Sequence, residues 1–346
     1  MSDRIRRADP ETDRALLIEL LSQNLTPEAG GRRFDWLYLD SPHGRARVWV
    51  VTEGDTGRGL GVAAAFPRRL FVHGRLRDGY VLGDFAIEPR HRNLGLALQL
   101  QRASLDQLAV SSTSPAYDFP SDRMMAIYRR MRLSPASQMI RWAKPLRTDR
   151  KIKGSVKSAE LASLLAAPLN VLLKWTDFST HLKTEWTIAK QVGACTEEFT
   201  HLAHSIGSQY GSCVERSAEH LNWRYLQHPL VPHELWTARR DAKLAGYVVF
   251  SHTGDDARIV DLFGFSDTEM WTALVAQVVS LVRVRGAVTL SISATASSPW
   301  SARLKKWGFR LREGSPFLVC GTAPAKNGVD PDSNDSWFVT EGDRES

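Results

Sequence analysis

The sequence predicts a mixed α/β protein (an α+β mixed sheet) built from two related domains in tandem. Three observations support this fold class. The chain has 346 residues, the length of about two ordinary domains. Short apolar segments come first and then alternate with amphipathic helical segments, an order typical of a mixed sheet covered by helices. A weak internal repeat relates the second half of the chain to the first.

The first copy has the clearer pattern of elements. Asp9-Pro10-Glu11 is typical of a helix start, and leucines at helical spacing follow it. Gly59-Leu60-Gly61 favours a hairpin that leads into an apolar strand. The other predicted elements are strands over 5–8, 48–51, 62–66, 69–72, 80–87, 116–119 and 138–142, and helices over 94–108 and 122–131.

The repeat aligns residues 221–229 with residues 34–42. Both segments carry Trp, Tyr, Leu and Pro at a constant offset of 187 residues, and Trp236 keeps that offset from Trp49. Further along the chain, Asp261 corresponds to Asp84. A period of this length indicates two copies of a whole domain, because solenoid repeats are far shorter.

The repeat divides the chain into four predicted parts. Residues 1–147 form the first domain and residues 191–324 the second. Residues 148–190 have no counterpart in the first copy and are predicted to be a linker with a helix over 161–173. Residues 325–346 are acidic and rich in Asp, Ser, Gly and Asn, so we expect a disordered tail, although Trp337-Phe338-Val339 could dock.

Composition excludes several classes of protein. With 43% hydrophobic and 24% charged residues, the chain has ordinary globular usage. It contains no apolar run long enough for a membrane span, and its first residues lack the apolar core of a secretory signal. Three cysteines without a C-x-x-C pair favour neither a disulfide framework nor a cysteine zinc site. A cytoplasmic location is therefore expected.

The net charge of +7 lies entirely in the first half. Residues 1–150 carry 24 Lys and Arg against 17 Asp and Glu, whereas residues 151–346 carry 21 of each sign. Such an imbalance indicates an anionic partner, which could be nucleic acid, a membrane surface or a phosphorylated cofactor. A general bias towards arginine would produce the same imbalance, so charge alone leaves these readings open.

The segment 83–98 has the pattern of a pyrophosphate cradle. A strand ends at Ile87, a basic loop follows, and a helix begins near Leu94 with the small residues Gly95 and Ala97 in its first turn. The first amides of a helix have no partner within the helix, and the helix dipole there favours anions. An ordinary strand-loop-helix connection would have the same spacing, so spacing leaves both interpretations open.

This segment resembles the signature of the GCN5-related N-acetyltransferase superfamily, R/Q-x-x-G-x-G/A after a strand that ends V-x-P. Here Ile87-Glu88-Pro89 is followed by Arg92-Asn93-Leu94-Gly95-Leu96-Ala97. Residues 4–8 resemble the first strand of the family, and residues 127–133 resemble the end of its tyrosine-bearing helix. The resemblance covers residues 1–145 well and residues 195–322 weakly, through the repeat.

The resemblance implies acetyl-CoA as co-substrate and no metal. The main chain of Ala86 and Ile87 would bind the pantetheine arm. The pyrophosphate would be bound by the residues of the signature, Arg92, Asn93, Leu94, Gly95, Leu96 and Ala97. Two positions depart from the family pattern, since Asn93 replaces a usual glycine and Leu94 a usual basic residue, which leaves Arg90 and Arg92 to supply the charge.

Two residues are candidates for catalysis by the same resemblance. Tyr128 matches the tyrosine near the thioester sulfur and is the candidate general acid, unless it is a packing aromatic. Asp84, an acid inside an apolar strand, is the candidate base. The alternatives for Asp84 are a pair with a buried arginine or a place on the solvent face. Glu88 is a weaker rival for the base.

The second copy is predicted to keep the fold and to lose the cofactor. Residues 262–271 carry no arginine and no Gly-x-Ala, and they add Asp267 and Glu269 where a phosphate would lie. This copy would then form part of the acceptor pocket or stabilise the first copy. Its polar and aromatic cluster could face the acceptor, although packing into the core is favoured; the cluster consists of His220, Trp223, Arg224, Tyr225 and His228.

Together these features predict an acetyl-CoA-dependent N-acetyltransferase that acts on a primary amine of a small molecule or amino-sugar. Two alternatives stay open: a tandem acyl or aminoacyl transferase of the peptidoglycan-bridge type, and a non-catalytic CoA-binding module. A nucleic-acid partner is not expected, because the arginines are scattered and no recognition module is visible. The sequence does not predict the number of subunits.

Overall fold

The elements of the first half follow the predicted order. The computed structural model describes residues 4–147 apart from Asp55, Asn93 and 112–114, together with residues 184–320 and 336–345. The strands of the first half are β1 (Arg4–Ala8), β2 (Arg47–Thr52), β3 (Gly59–Val72), β4 (Arg75–Ile87), β5 (Ala116–Asp118) and β6 (Ser137–Pro145). Its helices are α1 (Arg14–Asn24), α2 (Arg32–Phe34), α3 (Leu94–Ser111) and α4 (Asp122–Arg130). A π-helical turn, Asp35–Leu39, continues α2, and 3-10 turns occupy Pro27–Ala29 and Pro89–His91.

The second half repeats a three-stranded meander followed by a long helix. Its strands are β7 (Thr187–Lys190), β8 (Ser212–Val214), β9 (Glu234–Arg240), β10 (Lys243–Thr253), β11 (Asp256–Gly264), β12 (Thr289–Thr295), β13 (Arg310–Cys320) and β14 (Trp337–Phe338). Its helices are α5 (Glu197–Gly207), α6 (Ala218–Leu221) and α7 (Thr268–Val284). A π-helical turn, Asn222–Leu226, continues α6, and 3-10 turns occupy Ser301–Arg303 and Glu341–Asp343.

The two halves exchange strands in the middle of one 14-stranded sheet. The order is β1-β2-β3-β4-β5-β13-β6-β12-β11-β10-β9-β7, with β8 pairing with β3 and β14. Strand β13 of the second half pairs with β5 of the first, and β6 of the first half lies between β13 and β12. A boundary at residue 147 therefore does not divide the sheet into two, because each half contributes a strand to the other.

Two expectations about the connecting segments need correction. The predicted linker ends in strand β7, which pairs with β9, while residues 148–183, with the predicted helix over 161–173, lie outside the described residues. The predicted disorder of 325–346 is wrong for residues 336–345. There β14 pairs with β8, and the side chains of Trp337, Phe338 and Val339 are buried. Burial of these three apolar side chains offsets the entropy of ordering the polar residues around them.

The segments aligned by the repeat pack reciprocally against each other. The rings of Trp36 and Trp223 stack with their centroids 4.8 Å apart. Each indole Nε1–H donates a hydrogen bond to the backbone carbonyl of the other tryptophan, at 2.9 Å in both directions. Both residues belong to π-helical turns of five residues. The structure therefore places Trp223 in the core, the alternative that the sequence favours over contact with an acceptor.

Candidate active site

The candidate site lies where β4 and β5 diverge. The two strands pair in parallel only at Tyr80↔Ala116 and Val81↔Tyr117, whereas β4 stays paired with β3 as far as Ile87. A β-bulge shifts the β3–β4 register between Val62 and Ala64, and bulges bend a strand and increase its twist. Beyond Val81 a cavity of about 540 Å³ opens between the diverging strands, α3 and α4.

One face of α3 lines this cavity. Leu94, Ala97, Gln101 and Ser104 follow one another at helical spacing along it. Arg92 lies just before the helix, and its Nε–H donates a hydrogen bond of 2.9 Å to the carbonyl oxygen of Ile87. This bond holds a positive charge beside the start of α3, where the helix dipole also favours an anion.

The structure brings most of the site residues predicted from the sequence together in the wall of this cavity. Gly95 is exposed in the first turn of α3 and Leu96 is buried in the core, and neither lines the cavity. Asn93 lies outside the described residues. The predicted residues that line the cavity are Asp84, Ala86, Ile87, Arg92, Leu94, Ala97 and Tyr128.

The carboxylate of Asp84 is engaged on both oxygens. Arg33 donates to both of them at 2.9 Å, and the Tyr38 hydroxyl donates to Oδ2 at 2.8 Å. The Asp84 side chain is only 2% exposed, and its backbone adopts a left-handed φ of 45° that these bonds maintain. The structure thus shows the alternative that the sequence left open, a pair with a buried arginine.

Tyr128 shares its proton with a second carboxylate. The Tyr128 hydroxyl donates to Asp118 Oδ2 at 2.5 Å and accepts from Gln101 Nε2 at 3.3 Å. Burial raises the pKa of Asp118 to about 7, although the hydrogen bond from Tyr128 opposes the shift. Burial and the nearby Asp118 carboxylate raise the pKa of Tyr128 well above its ordinary value. The tyrosine is therefore protonated at neutral pH, whereas Asp118 gains or loses its proton when the pH changes around neutrality.

A third carboxylate enters the cavity from residues 336–345. Glu345 lies against β4 at Gly83, where a Cβ atom would come within 2.5 Å of Glu345 Cγ. Glycine at this position is therefore required for the close approach. Burial raises the pKa of Glu345 above its ordinary value; a backbone hydrogen bond opposes this shift, and the nearby Asp84 carboxylate adds to it. By contrast, Glu88 does not line the cavity and accepts from Arg58 at 3.0 Å.

Sequence reasoning missed several residues of this site. Asp118 carries the same signal as Asp84, an acid beside an apolar strand, and could have been found by it. Arg33 and Gln101 lie 51 and 27 residues from their partners Asp84 and Tyr128. Glu345 belongs to a segment whose polar composition predicted disorder. No local pattern distinguishes these three residues from ordinary surface side chains.

The corresponding helix of the second half begins differently. Asp267 caps α7, and its carboxylate accepts a hydrogen bond of 2.8 Å from the amide of Met270. A carboxylate thus already occupies this helix start, which agrees with the expected loss of the cofactor; that loss stays a prediction. Across the described ranges, no group of three or more His, Cys, Asp or Glu side chains could hold a metal, and no helix could span a membrane.

Comparison of the sequence finds no matching family model and no matching curated protein. Comparison of the structure finds clear neighbours. A GCN5-related N-acetyltransferase from Anabaena variabilis ATCC 29413 has a TM-score of 0.66 at 14% identity over 92% of this chain and 73% of that one. A probable N-acyltransferase of unknown function from Enterococcus faecalis V583 has a TM-score of 0.65 at 14% identity, over 92% of this chain and 72% of that one.

A third neighbour is the N-myristoyltransferase of Saccharomyces cerevisiae with bound myristoyl-CoA. It has a TM-score of 0.59 at 12% identity over 93% of this chain and 83% of that one. At these identities the likeness concerns the fold, and it confirms at that level the resemblance predicted from segment 83–98. The chain has the fold of the GCN5-related N-acetyltransferases.

Proposed function

We propose that this protein is an acyl-CoA-dependent N-acyltransferase that transfers an acetyl group from acetyl-CoA to a primary amine of a small molecule or amino-sugar. One observation carries the proposal. The cavity between the diverging strands β4 and β5 begins at the start of α3, beside Arg92, and contains Tyr128. A thioester and an amine can meet there.

The residues of the cavity fit a CoA ester. Arg92 and the exposed first turn of α3 suit the phosphates, since helix amides and a guanidinium both favour anions. Beyond Val81, no described strand pairs with the edge of β4 that faces the cavity, so its backbone groups can bind the amides of the pantetheine arm. When bound, acetyl-CoA supplies a thioester whose carbonyl carbon accepts the amine.

Glu345 is the base in this proposal. An amine attacks only as the neutral form, so a group in the cavity must accept its proton. Burial raises the pKa of Glu345, which makes its carboxylate a stronger base than an exposed one, whereas the carboxylate of Asp84 is held by Arg33. Asp84 therefore acts as a positioning residue that keeps β4 in its bulged form.

Tyr128 and Asp118 supply the proton that the leaving thiolate of CoA takes up. A thiol of pKa about 8.5 is a stronger acid than the buried Tyr128 phenol, so the phenol alone is a poor proton source. Protonated Asp118, with a pKa of about 7, is a better one. Once Asp118 is protonated, its carboxyl O–H donates to Tyr128 Oη, the reverse of the bond in which Tyr128 donates to Asp118 Oδ2, and the Tyr128 proton turns towards the cavity. Tyr128 then gives that proton to the leaving thiolate and takes up the proton of Asp118.

Binding of acetyl-CoA tests the proposal directly. Arg92→Glu should weaken binding about tenfold or more, because a charge-assisted contact becomes a repulsion. Arg102→Glu is the matched control, since Arg102 lies exposed on the same helix away from the cavity. Calorimetry measures the affinity, and thiol release measures turnover with a panel of amines. Equal affinities of the two variants would contradict the proposed cradle, and tight binding without turnover of any amine would favour a non-catalytic module.

A further inference from the structure

A second cavity of about 470 Å³ adjoins the first one. The two cavities share Leu25, Asp84 and Glu345 in their walls. The second lies between the turn after α1, the π-helical turn that contains Trp36, and residues 228–231 of the second half. Glu345, the proposed base, thus stands where the two cavities meet.

The lining of the second cavity carries a net negative charge. Its charged lining consists of Glu28, Arg33, Asp84 and Glu345. The charges of Arg33 and Asp84 compensate each other in an ion pair with two hydrogen bonds. The negative charges of the two glutamates therefore remain. His228 adds no positive charge, because its Nδ1 accepts from the backbone amides of Leu230 and Val231 at 3.2 and 3.1 Å. A cation suits this cavity better than an anion.

The remaining lining is largely apolar. Leu25 and Leu230 are each 45% exposed, which places them among the most exposed leucines that the structure describes, and both belong to this cavity. The ring of His228 lies 4.5 Å from that of Trp36 and forms part of the same wall with Val231. A ligand with an apolar body would cover these side chains and remove them from water.

We propose that the second cavity binds the acceptor, and that the acceptor is a primary amine carried on an aliphatic or aromatic body. The amine lies at the junction beside Glu345, and the body lies against Leu25, Trp36 and Leu230. This inference rests on the proposed function and narrows it, because a polyhydroxylated amino-sugar would leave its hydroxyl groups against apolar walls without partners.

Three probes test the acceptor class in the full chain: 2-phenylethylamine, 2-phenylethanol and glucosamine. With acetyl-CoA present, kcat/KM for 2-phenylethylamine should exceed that for glucosamine about tenfold or more. In calorimetry, 2-phenylethanol should bind more weakly than 2-phenylethylamine, because it lacks the charge that the glutamates attract. A preference for glucosamine, or equal binding of the alcohol and the amine, would overturn the assignment.

A pair of variants tests the location. Leu230→Ser should raise the KM and the dissociation constant of 2-phenylethylamine about fivefold, since it removes apolar contact from the cavity wall. Leu311→Ser is the control, because Leu311 is 56% exposed on β13 and lines neither cavity. Equal effects of the two variants would place the acceptor elsewhere.

Affinity for acetyl-CoA separates this inference from the proposed function. Leu230→Ser should leave that affinity unchanged. If acetyl-CoA does not bind at all, the proposed function fails. In that case the dissociation constants of 2-phenylethylamine for the wild type and for Leu230→Ser, measured without acetyl-CoA, still decide whether the second cavity binds an amine.

Discussion

Three carboxylates in one cavity differ because their immediate neighbours differ. Asp84 is paired with Arg33, Asp118 accepts from the Tyr128 hydroxyl, and Glu345 lies against Gly83. Burial favours the neutral form of Asp118 and of Glu345 and raises the pKa of both carboxyl groups. Carboxylates with such different partners can take separate roles in one reaction.

Asp118 should make the stability of the fold depend on pH. Its pKa is raised from 3.8 to about 7 in the folded protein, so its contribution to stability is complete below pH 3.8 and is lost as the pH rises through 7. Asp118→Asn keeps an acceptor for Tyr128 but does not titrate. Between pH 5 and pH 7.5 the variant should gain about 2–3 kcal/mol of unfolding free energy relative to the wild type.

Urea unfolding at the two pH values measures this difference. Asp122→Asn is a suitable control, because Asp122 is exposed at the start of α4. If the Asp118→Asn variant and the wild type differ by the same amount at both pH values, the pKa of Asp118 is not raised as described.

At the scale of elements, residues 336–345 connect the core of the second half to the site in the first. Asp343 accepts from Arg216 at 2.9 Å and from the amide of Thr340 at 2.7 Å, deep in the second half. The ring of Phe338 stacks 4.7 Å from that of Tyr210. These anchors lie within a few residues of Glu345, so they set its position in the cavity.

Phe338→Ala should therefore affect both stability and activity. The side chain is 1% exposed, and its truncation should cost about 3–5 kcal/mol of unfolding free energy. Phe265→Ala, at a residue that is 41% exposed, should cost much less. Activity measured where both variants are still folded should fall only for Phe338→Ala, because only that change releases the segment that holds Glu345. Unchanged activity in that variant would rule out the proposed base.

At the scale of the molecule, the exchanged strands make the halves depend on each other. Without the second half, β5 loses β13, and β6 loses both of its neighbours. Separation of the halves would also expose the indole ring of Trp36 on one half and that of Trp223 on the other. An unpaired strand edge and a bare apolar face both favour aggregation over folding.

Separate production of the two parts tests this dependence. Residues 1–147 and 148–346 should each fail to unfold cooperatively when produced alone. Together they should assemble into a complex with the circular dichroism spectrum of the intact chain. A sharp thermal transition of residues 1–147 alone would show that the first half does not need the exchanged strand.

The sequence predicted what local patterns determine. The helix over 94–108 was found because Leu100 and Leu108 recur at helical spacing on its buried face, and the structure extends it to Ser111. The hairpin of β3 and β4 was found in pieces, because the spacing of apolar residues does not show that the two predicted strands before His73 are one strand.

Pairings between distant residues could not be predicted. Nothing near Asp84 shows that Arg33 binds it, and nothing near β6 shows that its neighbours are β12 and β13. Strand pairing depends on which edges meet in the folded sheet, and that depends on the whole chain. The buried triplet at 337–339 was visible as a run of apolar residues, but the acidic residues around it favoured the prediction of disorder.

The placement of Glu345 against Gly83 has a consequence for biosynthesis. A ribosome adding about 5–20 residues per second needs roughly 10–50 s to proceed from Tyr128 to Glu345. During that interval the nascent chain already contains Arg92 and Tyr128 but lacks the proposed base. A chain that terminates before Glu345 would therefore carry Arg92 and Tyr128 without the proposed base.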